Sequence, residues 1–363
     1  MVIGMSSCGR SESGADSDSD AVKTINSSKA TGDLTIWAMG NEGDLLDDFV
    51  KGFEKENPDV KIKVTAIPWS SAHDKLQTAI AAGNGPDLAQ MGTTWMADFS
   101  NSFSTVPDNL DMSDFSDGSR ATGQVDGKQL GVPWYIDTRV LYYRTDIAGM
   151  AGWNKAPKTW NELKRMAKDM QKVDGVKYGM SLNSSGTDAF LGTLPFSYSA
   201  GASLTNEEQT KWTFDDNGIK KGLNFTTSLY RDGIVDVNAD VSSGADIANF
   251  VSGSTPMMLQ GPTAVSQINE LGGDGFESKY ATVILPSMNE SSGPATSFVG
   301  GCNLVTFKDS KNKQSAWKFI QWASKPEVQA EWYKKSSDLP ASQKAWMRTR
   351  SPATTSLRRS ATS

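Results

Sequence analysis

The sequence predicts an α/β fold built on an open, mainly parallel sheet with helices on its faces, divided into two packed units. Three observations predict it. From Leu34 the chain alternates strand, helix, strand, helix, strand. Its 363 residues exceed one small domain. Strand patterns return late, after a helix-rich middle, which implies that the chain crosses back into the unit where it began.

The elements follow in order. LTIWA (34–38) is a short apolar strand, followed by a polar loop, GNEGD. A helix then places Leu45, Leu46, Phe49, Val50 and Phe53 on one face, and Asn57-Pro58 stops it. In DVKIKVTAI the alternation of Val60, Ile62 and Val64 marks a half-buried strand. A second helix carries Leu76, Ala79 and Ile80 and ends at Gly83-Asn84-Gly85-Pro86, before a third strand, DLAQMG. LGVPWYIDTRVLYY (130–143) is one long extended segment. Helices are expected at 159–171, 218–231 and 313–323, and strands at 282–285 and 303–307.

Both ends differ from the middle. Residues 9–33 contain no aromatic residue and are rich in Ser, Asp, Gly and Ala, so they read as a disordered, solvated tether. The acidic run at 16–20 mimics a calcium loop but has Ala21 and Ser27 where Gly and Glu belong. Met5-Ser6-Ser7-Cys8-Gly9 is similar to a bacterial lipoprotein processing site, which makes residues 1–8 part of a signal peptide and Cys8 a lipid anchor. The stretch 347–363 has four Arg, no acid and no aromatic. This atypical basic tail is expected to be a truncation or a shifted reading frame.

Composition excludes several functions. The net charge of −6 argues against a nucleic-acid binder. His73 is the single histidine, which rules out multi-His metal sites, and two cysteines make no disulfide scaffold. No GxSxG elbow and no GxGxxG after a strand occur. Residues 123–128 imitate a phosphate loop but are one residue short. Cys302, between Gly301 and Asn303, reads as a small buried thiol. No cofactor or metal is expected. With 42 acids in the chain, a carboxylate pair of the glycosidase kind stays open.

Eleven Trp residues demand an explanation. Trp37, Trp69, Trp95 and the pair Trp134-Tyr135 fall at or just after predicted strand ends, where ligands bind in open α/β sheets. An indole fits the C–H face of a sugar ring, while amides and carboxylates take its hydroxyls. Asn41, Glu42, Asp137 and Arg139 offer such groups nearby, and Asp137 and Arg139 share one face of an extended segment. Trp37, Trp317 and Trp322 read as core; for Trp69 and Trp95 the core and crevice readings both stand.

The motifs LTIWAMG, LQTAIAAGNGPDLAQMGTTW, GVPWYIDTRVLYYRTDI, PKTWNEL, FVSGSTPMMLQGP, SFVGGCNLVTF and AWKFIQWASKPEVQAEW occur in that order. Together, from Leu34 to about Trp346, they resemble the sugar-binding proteins of bacterial ABC importers, the group containing the maltose-binding proteins. The resemblance implies a two-lobe periplasmic-binding-protein-like fold, each lobe a mixed open sheet flanked by helices, with a ligand cleft between them. It assigns 34–138 and 283–307 to the first lobe and 139–282 and 308–346 to the second, with crossings near 137–140, 260–282 and Phe307. It carries crevice roles onto Asn41, Glu42, Trp69, Trp95, Tyr135, Asp137, Phe190, Gln260, Gly261, Gly300, Gly301 and Asn303. It implies an oligosaccharide ligand, ABC importer permease subunits as partners, a monomer, and a place on the outer face of the cell membrane. Thr263 stands where many maltose-binding proteins have Trp, so maltose is not implied. Family members usually continue past the DLPA segment with further helices, so one wall of the crevice is expected to be incomplete here. The rival readings are the same fold binding a non-sugar solute and a glycoside hydrolase.

Overall fold

The structure is a computed structural model that describes residues 21–182, 189–206, 211–240, 242, 244–293 and 295–349. Its strands are β1 (Gly32–Met39), β2 (Val60–Ile67), β3 (Leu88–Gly92), β4 (Gln124–Val125), β5 (Lys128–Gln129), β6 (Val132–Asp137), β7 (Val140–Arg144), β8 (Met257–Gln260), β9 (Tyr280–Val283), β10 (Gly300–Thr306) and β11 (Leu339–Pro340). Its helices are α1 (Gly40–Phe49), α2 (Lys51–Glu56), α3 (Trp69–Ala81), α4 (Asp117–Ala121), α5 (Thr145–Met150), α6 (Trp160–Met170), α7 (Leu194–Ser199), α8 (Asn217–Arg231), α9 (Ala245–Ser252), α10 (Ala264–Gly272), α11 (Lys313–Ala323), α12 (Pro326–Ser336) and α13 (Gln343–Thr349). Cys8 and residues 350–363 lie outside the described residues, as does the acidic run at 16–20.

Two sheets organise the chain. The first has six strands in the order β11-β6-β10-β3-β1-β2. Its β1 runs parallel to β2 and β3, while β10 runs antiparallel to β3 and β6. The second has three antiparallel strands in the order β8-β7-β9. Every residue of β3 is buried, as expected of a central strand covered on both faces. On β1, Leu34, Ile36 and Ala38 enter one core cluster, whereas Trp37 packs against a second, with the Lys75 ammonium 5.3 Å from its ring centre. Two other clusters, one around Leu141, Leu163 and Leu259 and one around Tyr142 and Phe276, belong to the second sheet.

The long extended segment is two strands in two sheets. The chain leaves the first sheet at Asp137 and enters the second at Val140. It returns between Leu285, which is core in the second lobe, and Gly300, the first residue of β10. The other two expected crossings are corrected. Residues 260–282 hold α10 and β9 and stay in the second lobe, and Phe307 stays in the first.

The expected placement of 308–346 in the second lobe is likewise corrected. Phe307 N–H donates to the Asp87 carbonyl, and the Asp87 carboxylate accepts from Ser310 Oγ at 2.6 Å and Asn312 Nδ2 at 3.2 Å. That tight anchor turns α11 back onto the sheet it has just left. Trp317, Ile320 and Trp322 of α11, Trp332 of α12 and Ala341 join the first lobe's core, and β11 pairs with β6.

Three local expectations also change. GNEGD is the first turn of α1, not a loop. Gly40 makes the turn at φ +58°, and a Cβ at Gly43 would meet the Ala38 carbonyl at 2.7 Å, so the helix lies tight against the sheet. The expected tether is ordered from 21 onward. Ile25 and Ala30 are buried in the first lobe, and Ile25 N–H donates to Asn109 Oδ1 at 2.8 Å. The phosphate-loop lookalike is the β4–β5 hairpin, turning on Asp126 and Gly127 at positive φ.

Trp134, expected near a ligand, is 2% exposed and stacks on Trp332 with ring centres 4.7 Å apart. Trp332 also meets Phe49 edge-on at 5.0 Å. Trp332→Ala is expected to lower stability by about 3–5 kcal/mol in urea denaturation. A loss below about 1 kcal/mol, ordinary for a surface change, would contradict a first-lobe core closed by α12.

Candidate functional site

The ends of β1, β3, β6 and β10 in the first lobe face α7, β8 and α10 of the second across a cavity of about 590 Å³. Of the thirteen residues that the sequence marks for the crevice, eleven line it: Asn41, Glu42, Trp69, Trp95, Tyr135, Asp137, Arg139, Phe190, Gln260, Gly300 and Gly301.

Two of the thirteen do not. Asn303 is fully buried and turned away. Its amide donates to the Thr122 carbonyl at 3.2 Å, and its Cβ sits where Gly131 has no side chain. It follows Cys302, which lines the cavity, so strand alternation puts it on the other face of the sheet. Gly261 lies behind the wall, its carbonyl accepting from the Tyr142 hydroxyl at 2.8 Å. A Cβ there would meet Asp137 Oδ1 at 2.3 Å, so this glycine makes room for the Asp137–Arg139 pair.

Trp69 is the first residue of α3, not a loop residue. Its indole lies over Gly40, where a Cβ would come within 2.6 Å of the ring. Gly40 at φ +58° is therefore a position that both the backbone and the indole reserve for glycine. Trp95 is both core and cleft. It lines the cavity yet is 3% exposed, packed edge-on against Trp69 at 5.4 Å and against His73 at 5.3 Å. His73 bonds Asp98 at 3.0 Å and is not among the cavity-lining residues.

The floor is a buried polar network. Tyr135 donates its hydroxyl proton to Glu42 Oε1 at 2.6 Å. Gln90 donates to the Tyr135 oxygen at 3.0 Å and to the Cys302 sulfur at 3.4 Å, while its own oxygen accepts from Met39 N–H at 2.7 Å. Burial pushes the Glu42 carboxyl up to about 7, and the nearby Asp137 charge adds to the rise. Burial also raises Asp137, opposed by the Arg139 guanidinium. Asp338 is raised well above the carboxylate range by burial and by Glu42.

Sequence reasoning missed several lining residues. Asp338 follows α12 and precedes β11, and its neighbours give no sign of a strand. Tyr198, Phe298, Asp240, Asp246 and Gln267 line the second lobe's side and the return segment. FVGG, the segment holding Phe298, was in view through its glycines alone.

These features define a two-lobe binding protein whose ligand lies between lobes joined by short crossings. Residues 39–330 match the family model of bacterial extracellular solute-binding proteins. The chain belongs to that family. It is similar to the solved sugar-binding protein MalE of Xanthomonas citri, with 32% identity, a TM-score of 0.72, and coverage of 91% of this chain and 84% of that one. It is similar to the GacH receptor of Streptomyces glaucescens, solved unliganded and with acarbose, at 25% identity and a TM-score of 0.80, covering 91% and 85%. The galactooligosaccharide-binding protein of Bacillus subtilis is 24% identical over 355 residues, 94% of this chain and 78% of that protein.

The raised Glu42 value has a testable sign. Its folded value near 7 lies above the unfolded carboxyl value, so the stabilisation is complete below about pH 4.5 and is lost as pH rises through 7. Asp137 and Asp338, facing the same space, shift in the same direction. The ligand-free protein is therefore expected to melt at a higher temperature at pH 5 than at pH 8, and Glu42→Gln is expected to shrink that difference. An equal slope in the variant would remove Glu42 as its source.

Proposed function

We propose that the cleft captures an oligosaccharide and that closure of the two lobes over it presents the loaded protein to the permease subunits of an ABC importer. The observation that carries this is the Trp69 indole set against Gly40 and lining one cleft with Asn41, Glu42 and Asp137. Half-buried aromatics, Phe190 and Tyr198, stand on the opposite wall. An apolar plate edged by carboxylates and amides matches the two faces of a sugar ring. Membership of a solute-binding family supports the same reading.

No covalent step belongs to this mechanism. Ligand that bridges both walls favours the closed arrangement by its differential affinity for it. Stacking and charge-assisted hydrogen bonds contribute about 1–3 kcal/mol each. Several of them give micromolar binding, about −8 kcal/mol. In this reading Cys8 carries a lipid that holds a monomer at the outer face of a bacterial membrane, with the residues after it as spacer.

Trp69→Ala is expected to weaken oligosaccharide binding at least tenfold by calorimetry. Trp95→Ala, because it also removes core, is expected to lower the melting temperature as well. Small-angle scattering should show compaction on adding the sugar that binds. Unchanged affinity in Trp69→Ala, or no compaction with a bound sugar, would defeat the proposal.

A further inference from the structure

The cleft is more acidic than hydroxyl recognition needs. Among the described residues lining it, Glu42, Asp137, Asp240, Asp246 and Asp338 are acids, and Arg139 is the single base. Arg139 is already paired with Asp137 Oδ2. Asp246 is engaged by the Gln260 amide.

Among the described residues, two buried carboxylate oxygens have no hydrogen-bond partner: Asp137 Oδ1, which packs against Gly261, and Asp338 Oδ1. Asp338 is 1% exposed. Its other oxygen accepts from Trp332 Nε1 at 2.8 Å, and its backbone N–H donates to Ser336 Oγ at 3.0 Å. The carboxyl is therefore held in place, and Asp338 is among the residues that line the cavity. The register of β11 on β6, Leu339 opposite Ile136, puts Asp338 at the Asp137 end of that ladder. Glu42 stands close enough for its charge to act on Asp338. An unpaired buried carboxyl oxygen costs free energy until a donor reaches it. Among the described residues no three such groups converge as metal ligands would.

We infer that the cleft selects an amine-bearing saccharide, whose ammonium group seats at the floor beside Asp338 and Glu42. An ammonium offers three donors and a positive charge, which favours the ionised form of acids that burial otherwise keeps protonated. A neutral hydroxyl in its place offers one donor and no charge. Charge-assisted hydrogen bonds are about twice as strong as neutral ones, which gives the amine its advantage. This inference rests on the oligosaccharide reading and narrows it.

The test uses matched pairs that differ at one group, titrated calorimetrically into the full chain at pH 7 and low salt. The pairs are glucosamine with glucose, galactosamine with galactose, and the β-1,4-linked glucosamine disaccharide and trisaccharide with cellobiose and cellotriose. In the pairs that bind, the amine member is expected to bind at least tenfold tighter. Asp338→Asn is expected to bring that ratio near one while the hydroxyl member's affinity stays within threefold. Should that variant not fold, Glu42→Gln is expected to lower the amine-to-hydroxyl affinity ratio at least threefold, whatever it does to the hydroxyl member's own affinity. Hydroxyl members binding as tightly as their amine partners would overturn the inference and leave the oligosaccharide reading intact. A ratio that survives both substitutions would overturn it too. Spermidine binding with no saccharide binding, amine-bearing or neutral, would overturn both.

Discussion

One extended segment serves two sheets, and the rest of the architecture depends on that sharing. β6 is hydrogen-bonded to β10 and β11, while β7, which follows after Thr138 and Arg139, is hydrogen-bonded to β8 and β9. Neither ladder claims the two intervening residues. Each lobe also buries its own core clusters, so each can turn as a rigid body. A rotation between the lobes must then be absorbed at 138–139 and in the return segment ahead of Gly300. The same segment supplies Tyr135, Asp137 and Arg139 to the cleft. Hinge and floor are therefore one stretch of chain, and pressure on the floor acts where the lobes pivot.

The floor is costly to the empty protein. Glu42, Asp137 and Asp338 lie out of bulk water with a single guanidinium among them. Removing water disfavours their charged forms, which is why all three carboxyls rise. A stability-driven design would place apolar side chains there. Retaining acids in such a place makes sense when a ligand supplies the missing donors, so that binding recovers what folding left unsatisfied. Gln90 and Tyr135 fix the Glu42 carboxyl before any ligand arrives, which lowers the ordering cost of binding.

Local pattern was legible in the sequence, and long-range partnership was not. The alternation of Val60, Ile62 and Val64 reads directly as β2, and the apolar face from Ala316 to Trp322 reads as α11. Which sheet α11 covers depends on the Asp87–Ser310–Asn312 anchor, whose members lie more than 200 residues apart in sequence. No period or spacing reports such a contact. Asn303 illustrates the same limit on a smaller scale. Its place in β10 was read, but strand alternation puts it on the Val305 face, opposite to Cys302. Asp338 gave no signal, since a carboxylate after a helix ordinarily faces water and its burial is set by β11 joining a strand 200 residues earlier. The glycines at 300 and 301 were legible through the family resemblance, and at 301 a close strand approach supplies the physical reason. A Cβ at Gly301 would meet the Tyr135 carbonyl at 2.2 Å.

Trp69 and Trp95 show how one aromatic pair divides support from recognition. Trp95 is almost wholly buried and packs edge-to-face with Trp69, while Trp69 lines the cavity and packs against Gly40. The indole is thus clamped from two sides, and little rotamer freedom remains to be lost when a ring stacks on it. On the far wall Phe190 and Tyr198 belong to short helical pieces of the second lobe. With a fixed plate on one lobe and aromatics on the other, the proposed saccharide would gain its second apolar face only as the lobes approach. That increment exists in the closed state alone, which is the differential affinity a hinge needs to respond to its ligand.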